Sequence, residues 1–464
     1  MSEKIVELEI EDLAYDGKAV ARLDGKVVFV NGGLPGEKVR ARIVRSKPRF
    51  SNAILLEVTE KCDLRVPAPC PHVSYCGGCT WQDLDYNTQL RFKQKQIVAC
   101  LERIGNLKDP PVDSIVGAVE LFHYRNKMEF SFNVSDDGGF TLGLHKRGRF
   151  DEVFDLQKCY LQPDVANRVV AHIREFVQRR GISVYDVRNH TGFMRFVVLR
   201  MAKRTAQMMV NIVTNLGDLP YQQELISELT GIFKEVTTIV HNQNGMKSNI
   251  AVGEIERVLY GTGFIEEKLF DYTFQIRANS FFQTNSLQTE TLYRTTFDVL
   301  DPQHTDRAMD LYCGTGSIGL LLARHVSEVV GVELVPDAIQ VANENAELNN
   351  VSNITFWEGD VKDFLRTEQA TAEPFSVVVV DPPRAGLHPK ALKRLLEINS
   401  PKIVYISCNP STFARDAAAL VAAGYRLEQV TPVDMFPHTM HIELVSRFQR
   451  DESIKLADHD NSNV

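Results

Sequence analysis

Residues 4–59 alternate apolar and polar side chains in short runs, such as Val27-Val28-Phe29-Val30, broken at Gly17, Gly25, Gly32-Gly33 and Pro35-Gly36. A two-residue period at this spacing predicts a small antiparallel β-barrel. The rhythm then changes. A Cys/Pro/Gly segment over 62–80 precedes Leu84, Leu90, Ile97, Leu101 and Ile104, which share one face of a helix over 84–104. From about 112 to 278, strand-like runs (Lys127–Val134, Arg195–Ala202, Gln207–Thr214, Thr237–Asn242) alternate with helical stretches near 163–180 and 220–234, predicting a mixed α+β region. Beyond about 280 the pattern becomes regular. Strands at 307–312, 328–333, 353–357, 375–381, 402–407 and 441–447 alternate with helices at 316–325, 336–349, 389–398 and 411–424. That order predicts a doubly wound, Rossmann-like α/β sheet. The expected organisation is a barrel over 1–60, a central α+β domain with a cysteine loop over 61–279, an α/β domain over 280–450, and a polar, acidic, disordered tail over 451–464.

Composition narrows the class. The 464 residues give room for about three domains. With 52 Lys plus Arg against 60 Asp plus Glu, the net charge of −8 excludes a globally basic, histone-like protein. A local basic run remains: Lys38, Arg40, Arg42, Arg45, Lys47 and Arg49, with no acid among them, is either a solvated strand edge or a foothold for an anionic polymer. No run of about 18 apolar residues occurs, so a cytoplasmic protein without a membrane partner is expected. The eight cysteines (62, 70, 76, 79, 100, 159, 313, 408) would stay reduced there, and their close spacings point to metal ligation or catalysis before disulfides.

Asp310-Leu311-Tyr312-Cys313-Gly314-Thr315-Gly316-Ser317-Ile318-Gly319 follows an apolar strand and opens a helix, where a doubly wound sheet receives a nucleotide-like ligand. The next strand ends at Glu333, whose carboxylate can accept from both hydroxyls of a ribose. Helix packing and NAD are rival readings. The order D-x-x-C-G-x-G-x-x-G is similar to the cofactor loop of S-adenosylmethionine-dependent methyltransferases, whose ligand has no pyrophosphate to cradle.

Asp381-Pro382-Pro383-Arg384 closes another strand at the same edge. Amine methyltransferases often carry acid-Pro-Pro followed by an aromatic that stacks on the base, and Arg384 stands in that place here. One strand further on, Ser407-Cys408-Asn409-Pro410 puts a cysteine just before a helix, whose dipole would favour the thiolate. A buried structural cysteine is the competing reading. In Pro437-His438-Thr439-Met440-His441-Ile442-Glu443, strand alternation sets His441 and Glu443 on one face, with Glu443 as a candidate general base and the histidines as hydrogen-bonding supports. A nucleophilic cysteine beside a base suits methylation of a pyrimidine at C5. Thiolate addition at C6 makes C5 enolate-like, C5 takes a sulfonium methyl, and a base then removes the C5 proton so that the thiolate is expelled.

Phe281-Phe282-Gln283-Thr284-Asn285, Asp310–Gly319, Asp381–Arg384, Ser407–Pro410 and His438–Glu443 occur in an order that resembles the RNA 5-methyluridine methyltransferases, and the likeness covers nearly the whole chain. The resemblance implies Cys408 as nucleophile and Glu443 as base. It also implies Gln283, Tyr312, Ser317, Glu333, Asp360 and Asp381 as the lining of the S-adenosylmethionine or target-base pocket. Residues 1–59 resemble the TRAM barrel, an RNA-binding module, which gives the basic run a partner. Cys70, Cys76, Cys79 and distant Cys159 resemble the ligands of the [4Fe–4S] cluster of the ribosomal-RNA branch, whereas four cysteines taken by themselves could equally bind Zn²⁺. The C-x5-C-x2-C spacing differs from that of radical S-adenosylmethionine enzymes, so a structural or RNA-folding role is expected for the cluster. A stacked uridine cannot reach Cys408, so the RNA is expected to present a loop with the base flipped out. Arg91, Lys93, Lys95, Lys146, Arg147 and Arg149 are candidate phosphate contacts.

The expectation is a monomeric S-adenosylmethionine-dependent RNA uracil-C5 methyltransferase acting on 23S ribosomal RNA. The T-loop uridine of transfer RNA is the alternative substrate, and a non-catalytic RNA-binding or ribosome-assembly factor is the alternative class.

Overall fold

A computed structural model describes residues 4–14, 17–135 and 138–451. Strands β1 (Ile5–Leu13), β2 (Ala19–Leu23), β3 (Lys26–Asn31), β4 (Lys38–Ser46) and β5 (Phe50–Glu60) close into a barrel in the order β1-β2-β3-β5-β4. Alternation along β1 sends Val6, Leu8 and Ile10 inward, where they meet Ala19, Ala21, Val28, Val30 and Val39. Closure removes the unpaired edges that would template aggregation. The barrel departs from the all-antiparallel expectation at one seam, where β3 and β5 run parallel. Trp81 and Leu84, which follow the cysteine segment, complete its core.

The central sheet contains β6 (Lys127–Val134), β7 (Phe140–His145), β8 (Val153–Asp155), β9 (Met194–Met201), β10 (Met208–Thr214), β11 (Val236–Gln243) and β12 (Ile255–Tyr260), in the order β12-β11-β10-β9-β6-β7-β8. Helices Asp164–Arg180 and Gln222–Ile232 bury Val169, Ile173, Phe176, Leu225 and Leu229 in the same core as Phe130, Leu142 and Val210. Strands β13 (Phe264–Leu269) and β14 (Tyr272–Arg277) form a separate antiparallel pair.

The C-terminal sheet comprises β15 (Arg307–Leu311), β16 (Glu328–Glu333), β17 (Ile354–Glu358), β18 (Val377–Val380), β19 (Lys402–Ser407), β20 (Tyr425–Val433) and β21 (Glu443–Arg450). Its order is β17-β16-β15-β18-β19-β21-β20, with the first five strands parallel and β21 antiparallel to both neighbours. The chain winds outward from β15 to β17 and returns to the other side of β15 with β18. That reversal opens a crevice at the carboxyl ends of β15 and β18, where such sheets bind ligands. The expected strands are present here. Helix Ser286–Leu300 and strand β20 were not predicted, nor were β7, β8, β12 and the β13–β14 pair. The tail expectation over 452–464 lies outside the described residues. No helix among the described residues is long and apolar enough to cross a membrane.

Barrel and cysteine segment are tied by charge. Glu37 is fully buried, accepts from the Leu34 N–H (2.8 Å), and is clasped by Arg65 through Nε–Oε1 and Nη2–Oε2 contacts of 2.7 Å each. Removing one partner of a buried pair strands the other charge, at a cost of about 3–5 kcal/mol. Because Arg65 is partly exposed, Arg65→Met is expected to destabilise the barrel by about 3 kcal/mol in urea unfolding. A loss below about 1 kcal/mol would show that the pair does not hold the barrel to the cysteine segment.

Candidate active site

The glycine turn is built by backbone geometry. Tyr312, Gly314 and Gly316 all adopt positive φ (66°, 56° and 80°) between β15 and helix Ser317–Leu322. A Cβ on Gly316 would lie 2.9 Å from the Phe356 ring, and one on Gly319 would lie 2.9 Å from Asp310 Oδ2. Glycine at these positions therefore lets the turn close onto its neighbours. The Gly319 N–H donates to Asp310 Oδ2 (2.8 Å), and burial lifts the Asp310 carboxyl to about 7. Glu333 Oε2 accepts from the Gly314 N–H (3.1 Å), while Oε1 accepts from the N–H groups of Leu334 (2.8 Å) and Val335 (3.0 Å). The carboxylate at the end of β16 is thus fixed against the turn.

A narrow cleft is lined by Phe281, Gln283, Tyr293, Tyr312, Ser317 and Asp381, among others. Four of the six expected pocket residues, Gln283, Tyr312, Ser317 and Asp381, therefore share one cleft. Glu333 braces its wall through Gly314. Asp360 caps helix Val361–Phe364 by accepting from the Lys362 N–H (3.0 Å), and is held below the usual carboxylate range chiefly by its bond to the Lys362 ammonium. Burial, then the charge of Asp360, lifts the Tyr312 phenol to about 12, which places these two side chains in each other's field. Tyr293 had no signal in the sequence pattern. Buried on helix Ser286–Leu300, it shares a 2.7 Å hydrogen bond between its hydroxyl and Ser317 Oγ at the cleft.

The second half of the site lies where β18, β19 and β21 meet. The Asp381 N–H donates to Leu311 O (3.2 Å), pinning Asp381 beside the glycine turn. Ser407 pairs with Leu444 across β19 and β21, so one further step of the register brings Cys408 beside Glu443. Asn409 caps helix Pro410–Ala422, accepting from the Ser411 N–H (3.1 Å), and its Nδ2 donates to Arg384 O (3.1 Å). Thr412 Oγ1 donates to the same carbonyl (3.2 Å). The Asp381–Arg384 turn is thereby tied to the helix that follows Cys408.

Electrostatics differ from the helix-dipole expectation. The half-buried Cys408 thiol is pushed up to about 11 by burial, then by Glu443 and Asp381, with Arg384 opposing. Burial raises Asp381 to about 7, and burial with the neighbouring Asp381 charge holds Glu443 well above the usual carboxylate range. Desolvation and two acidic neighbours outweigh one helix terminus. The Arg384 side chain is exposed and makes no ion pair among the described residues. His441 lies in the connection before β21, so the alternation argument that joined it to Glu443 does not hold. His438 stacks on Phe122 with ring centroids 4.4 Å apart, and its backbone is held by Gln89, consistent with a supporting role.

Of the cysteines, Cys70, Cys76, Cys79 and Cys159 line a second cavity of about 730 Å³ between the cysteine segment and the central sheet. Burial lifts Cys79 to about 12 and Cys159 to about 11, and each is raised further by others of the four. The Gly78 N–H points to Cys76 Sγ (3.3 Å), and Gln82 Nε2 to Cys79 Sγ (3.6 Å). Among the described residues, no three His, Cys, Asp or Glu side chains are gathered so as to hold a metal ion. Four thiols around one cavity, with amide donors aimed at sulfur, are a donor set that suits an iron–sulfur cluster.

The phosphate-contact candidates divide. Lys93 is fully buried in an ion pair with Asp434 and cannot meet RNA. Arg147 donates to Val73 O and Cys79 O, bracing the cysteine loop. Lys95 pairs with Asp12, Lys146 and Arg149 pair with Glu152, and Arg91 donates to Thr88. In the basic run, Lys38 and Arg40 pair across strands with Glu60 and Glu57, whereas Arg45, Lys47 and Arg49 are exposed without an ion pair among the described residues.

A glycine turn facing a strand-end carboxylate at the switch point of a parallel sheet defines a site for a nucleoside-bearing ligand, an arrangement common to S-adenosylmethionine-dependent methyltransferases and NAD enzymes. Residues 85–450 match the tRNA (uracil-5-)-methyltransferase family and residues 1–56 match the TRAM domain, and the chain belongs to that methyltransferase family. It is 42% identical to a protein of Chlorobaculum tepidum, named an uncharacterized RNA methyltransferase, over 97% of each chain. A similarly named protein of Halalkalibacterium halodurans is 38% identical over 95% of this chain and 96% of its own. The crystal structure of a Pyrococcus abyssi tRNA (uracil-54, C5)-methyltransferase with S-adenosyl-L-homocysteine is similar at a TM-score of 0.76 and 32% identity, over 96% of this chain and 100% of that one. The protein is an RNA methyltransferase that uses S-adenosylmethionine.

With the thiol at about 11, alkylation of Cys408 by iodoacetamide, followed by peptide mass spectrometry, is expected to accelerate about tenfold per pH unit from 7 to 10. Asp381→Asn removes a raising charge and is expected to move the profile to lower pH, and Arg384→Gln to move it higher. A plateau below pH 8 in the unsubstituted protein would contradict this reading.

Proposed function

We propose that the protein methylates C5 of a uridine in 23S ribosomal RNA, with Cys408 as nucleophile and Glu443 as general base. S-adenosylmethionine supplies the methyl group as a sulfonium. The carrying observation is the placement of Cys408, Glu443 and Asp381 at one sheet edge, beside the cleft lined by Gln283, Tyr312 and Ser317. Cys408 gives up its proton to solvent and its sulfur bonds to C6, moving the electron pair of the C5–C6 double bond towards C5 and O4. C5 takes the methyl group as the methyl–sulfur bond of the sulfonium breaks, and the donor leaves as the neutral thioether S-adenosylhomocysteine. Glu443 then removes the C5 proton, the C5–C6 double bond re-forms, and the C6–S bond breaks. Burial makes the ionised Glu443 carboxylate a stronger base than an exposed one, and it must lose its own proton before it can take the one from C5.

In this reading Gln283, Tyr312, Ser317, Glu333, Asp360 and Asp381 form the pocket for donor and base. The protein works in the cytoplasm as a monomer, with residues 1–60 and 61–279 receiving the RNA and 280–450 carrying the chemistry. Arg45, Lys47 and Arg49, left without ion pairs, support the barrel as the phosphate-facing surface. Cys70, Cys76, Cys79 and Cys159 hold a [4Fe–4S] cluster in a structural or RNA-folding role. Four cysteines that line one cavity, two of them facing amide donors, support a thiolate-held cluster, and zinc is the alternative for the same donors. Transfer RNA is the second reading for the substrate. A full-length likeness to a tRNA uracil-54 enzyme, barrel region included, supports it, because the barrel then no longer separates the two substrates.

Mapping 5-methyluridine in RNA from cells with and without the gene tests the substrate. Loss confined to 23S ribosomal RNA is expected, loss confined to transfer RNA would establish the second reading, and no loss would leave the assembly-factor class. Protein purified without oxygen is expected to contain about four irons per chain and to lose them in Cys79→Ser. One zinc and no iron would refute the cluster.

A further inference from the structure

Behind the reacting groups, a second ionic cluster has no part in the chemistry described above. Lys93, on helix Tyr86–Arg103, exposes none of its side chain, and its Nζ donates to Asp434 Oδ1 (2.7 Å), which is equally buried. The same Nζ donates to Phe436 O (3.2 Å). The Tyr86 hydroxyl donates to Asp434 Oδ2 (3.0 Å) while accepting from the Ala118 N–H (2.7 Å). Gln89 Oε1 accepts from the His438 N–H (2.9 Å). Positions 86, 89 and 93 lie on one helical face, and all three grip the connection 434–442 that joins β20 to β21.

The grip falls next to Glu443. At the mouth of this connection Val433 pairs with Glu443, so Asp434 is one residue from the strand partner of the proposed base. Asp434 also fixes the start of the turn by accepting from the Phe436 N–H (3.1 Å), and its own N–H donates to Val116 O (2.9 Å). A buried ion pair is seldom the most stable way to fill a core, since apolar side chains of similar volume avoid its desolvation penalty. What it adds is direction: a charge-assisted bond fixes one atom relative to another, whereas an apolar contact tolerates sliding.

We propose that Lys93, Tyr86 and Asp434 are positioning residues that hold Glu443 at the distance and angle required to remove the C5 proton, an inference that rests on Glu443 being the base. Proton removal is the last bond-breaking sequence. The C5–H pair re-forms the C5–C6 double bond, the proton passes to the Glu443 carboxylate, and the C6–S pair returns to Cys408. Sulfur addition and methyl transfer come earlier and do not need Glu443. A misplaced base therefore leaves the enzyme joined to methylated RNA, a signature that simple loss of folded protein cannot produce.

The test uses the full-length enzyme, S-adenosylmethionine and total RNA from cells lacking the gene. Adducts that survive denaturing electrophoresis are compared with turnover and with the melting temperature. Glu443→Gln is the reference and is expected to accumulate adduct on ordinary uridine. Asp434→Asn is expected to slow turnover at least tenfold and to accumulate adduct likewise, while Tyr86→Phe, which keeps the ion pair, shows at least a fivefold excess of adduct over the unsubstituted enzyme. If Asp434→Asn fails to fold, Tyr86→Phe carries the test. Adduct in Glu443→Gln but in neither of the other variants overturns the positioning role alone. No adduct in Glu443→Gln, with the unsubstituted enzyme still trapped by 5-fluorouridine RNA, overturns the base assignment and the positioning role with it.

Discussion

Crowding of ionisable groups that favour the neutral state is the constraint on which this site depends. Cys408, Glu443 and Asp381 share one poorly solvated edge, and each negative charge makes the next harder to form. In water such groups would ionise independently. Here burial raises all three groups, and the charge of Asp381 raises Glu443 while both raise Cys408, so the site favours a low-charge state. A cationic donor in the adjoining cleft would relieve this repulsion, which couples the nucleophile's activation to occupancy of the site.

The remaining architecture serves that edge. The reversal of strand order between β15 and β18 places the glycine turn beside Asp381, and the antiparallel strand β21 places Glu443 across from Cys408. The connection leading into β21 is gripped from several sides. Thr80 and Trp81 donate their N–H groups to His438 O, Tyr124 donates its hydroxyl to Pro437 O, and Asn285 Nδ2 donates to Met435 O. The cysteine segment, the stretch leading into β6 and the loop after Gln283 therefore converge on the nine residues that precede the proposed base.

Much of this was legible in the sequence, for identifiable reasons. Parallel strands buried on both faces read as unbroken apolar runs, as in Val377–Val380, and glycines at positive φ mark the turn after β15. Cys408, Asp381 and Glu443 stood out because each ends or begins a strand at one edge. Three things were hidden. Strand β12 is exposed along nearly its whole length and has no alternation to detect. The raised thiol depends on burial and then on the charges of Glu443 and Asp381 from two other strands, none of which the local motif Ser407–Pro410 contains. Lys93 looked like a surface cation among Arg91 and Lys95, and its partner Asp434 lies 341 residues away, beyond the reach of any local pattern.

The central claim is that the Cys408 sulfur becomes bonded to a pyrimidine carbon. The most direct measurement incubates the enzyme with S-adenosylmethionine and RNA containing 5-fluorouridine, whose C5 fluorine cannot be removed as a proton, and locates the attached nucleotide by peptide mass spectrometry. The expected result is one methylated nucleotide on the peptide carrying Cys408, absent in Cys408→Ala. Methylated RNA released freely from the 5-fluorouridine substrate, or an adduct on any other residue, would contradict the account.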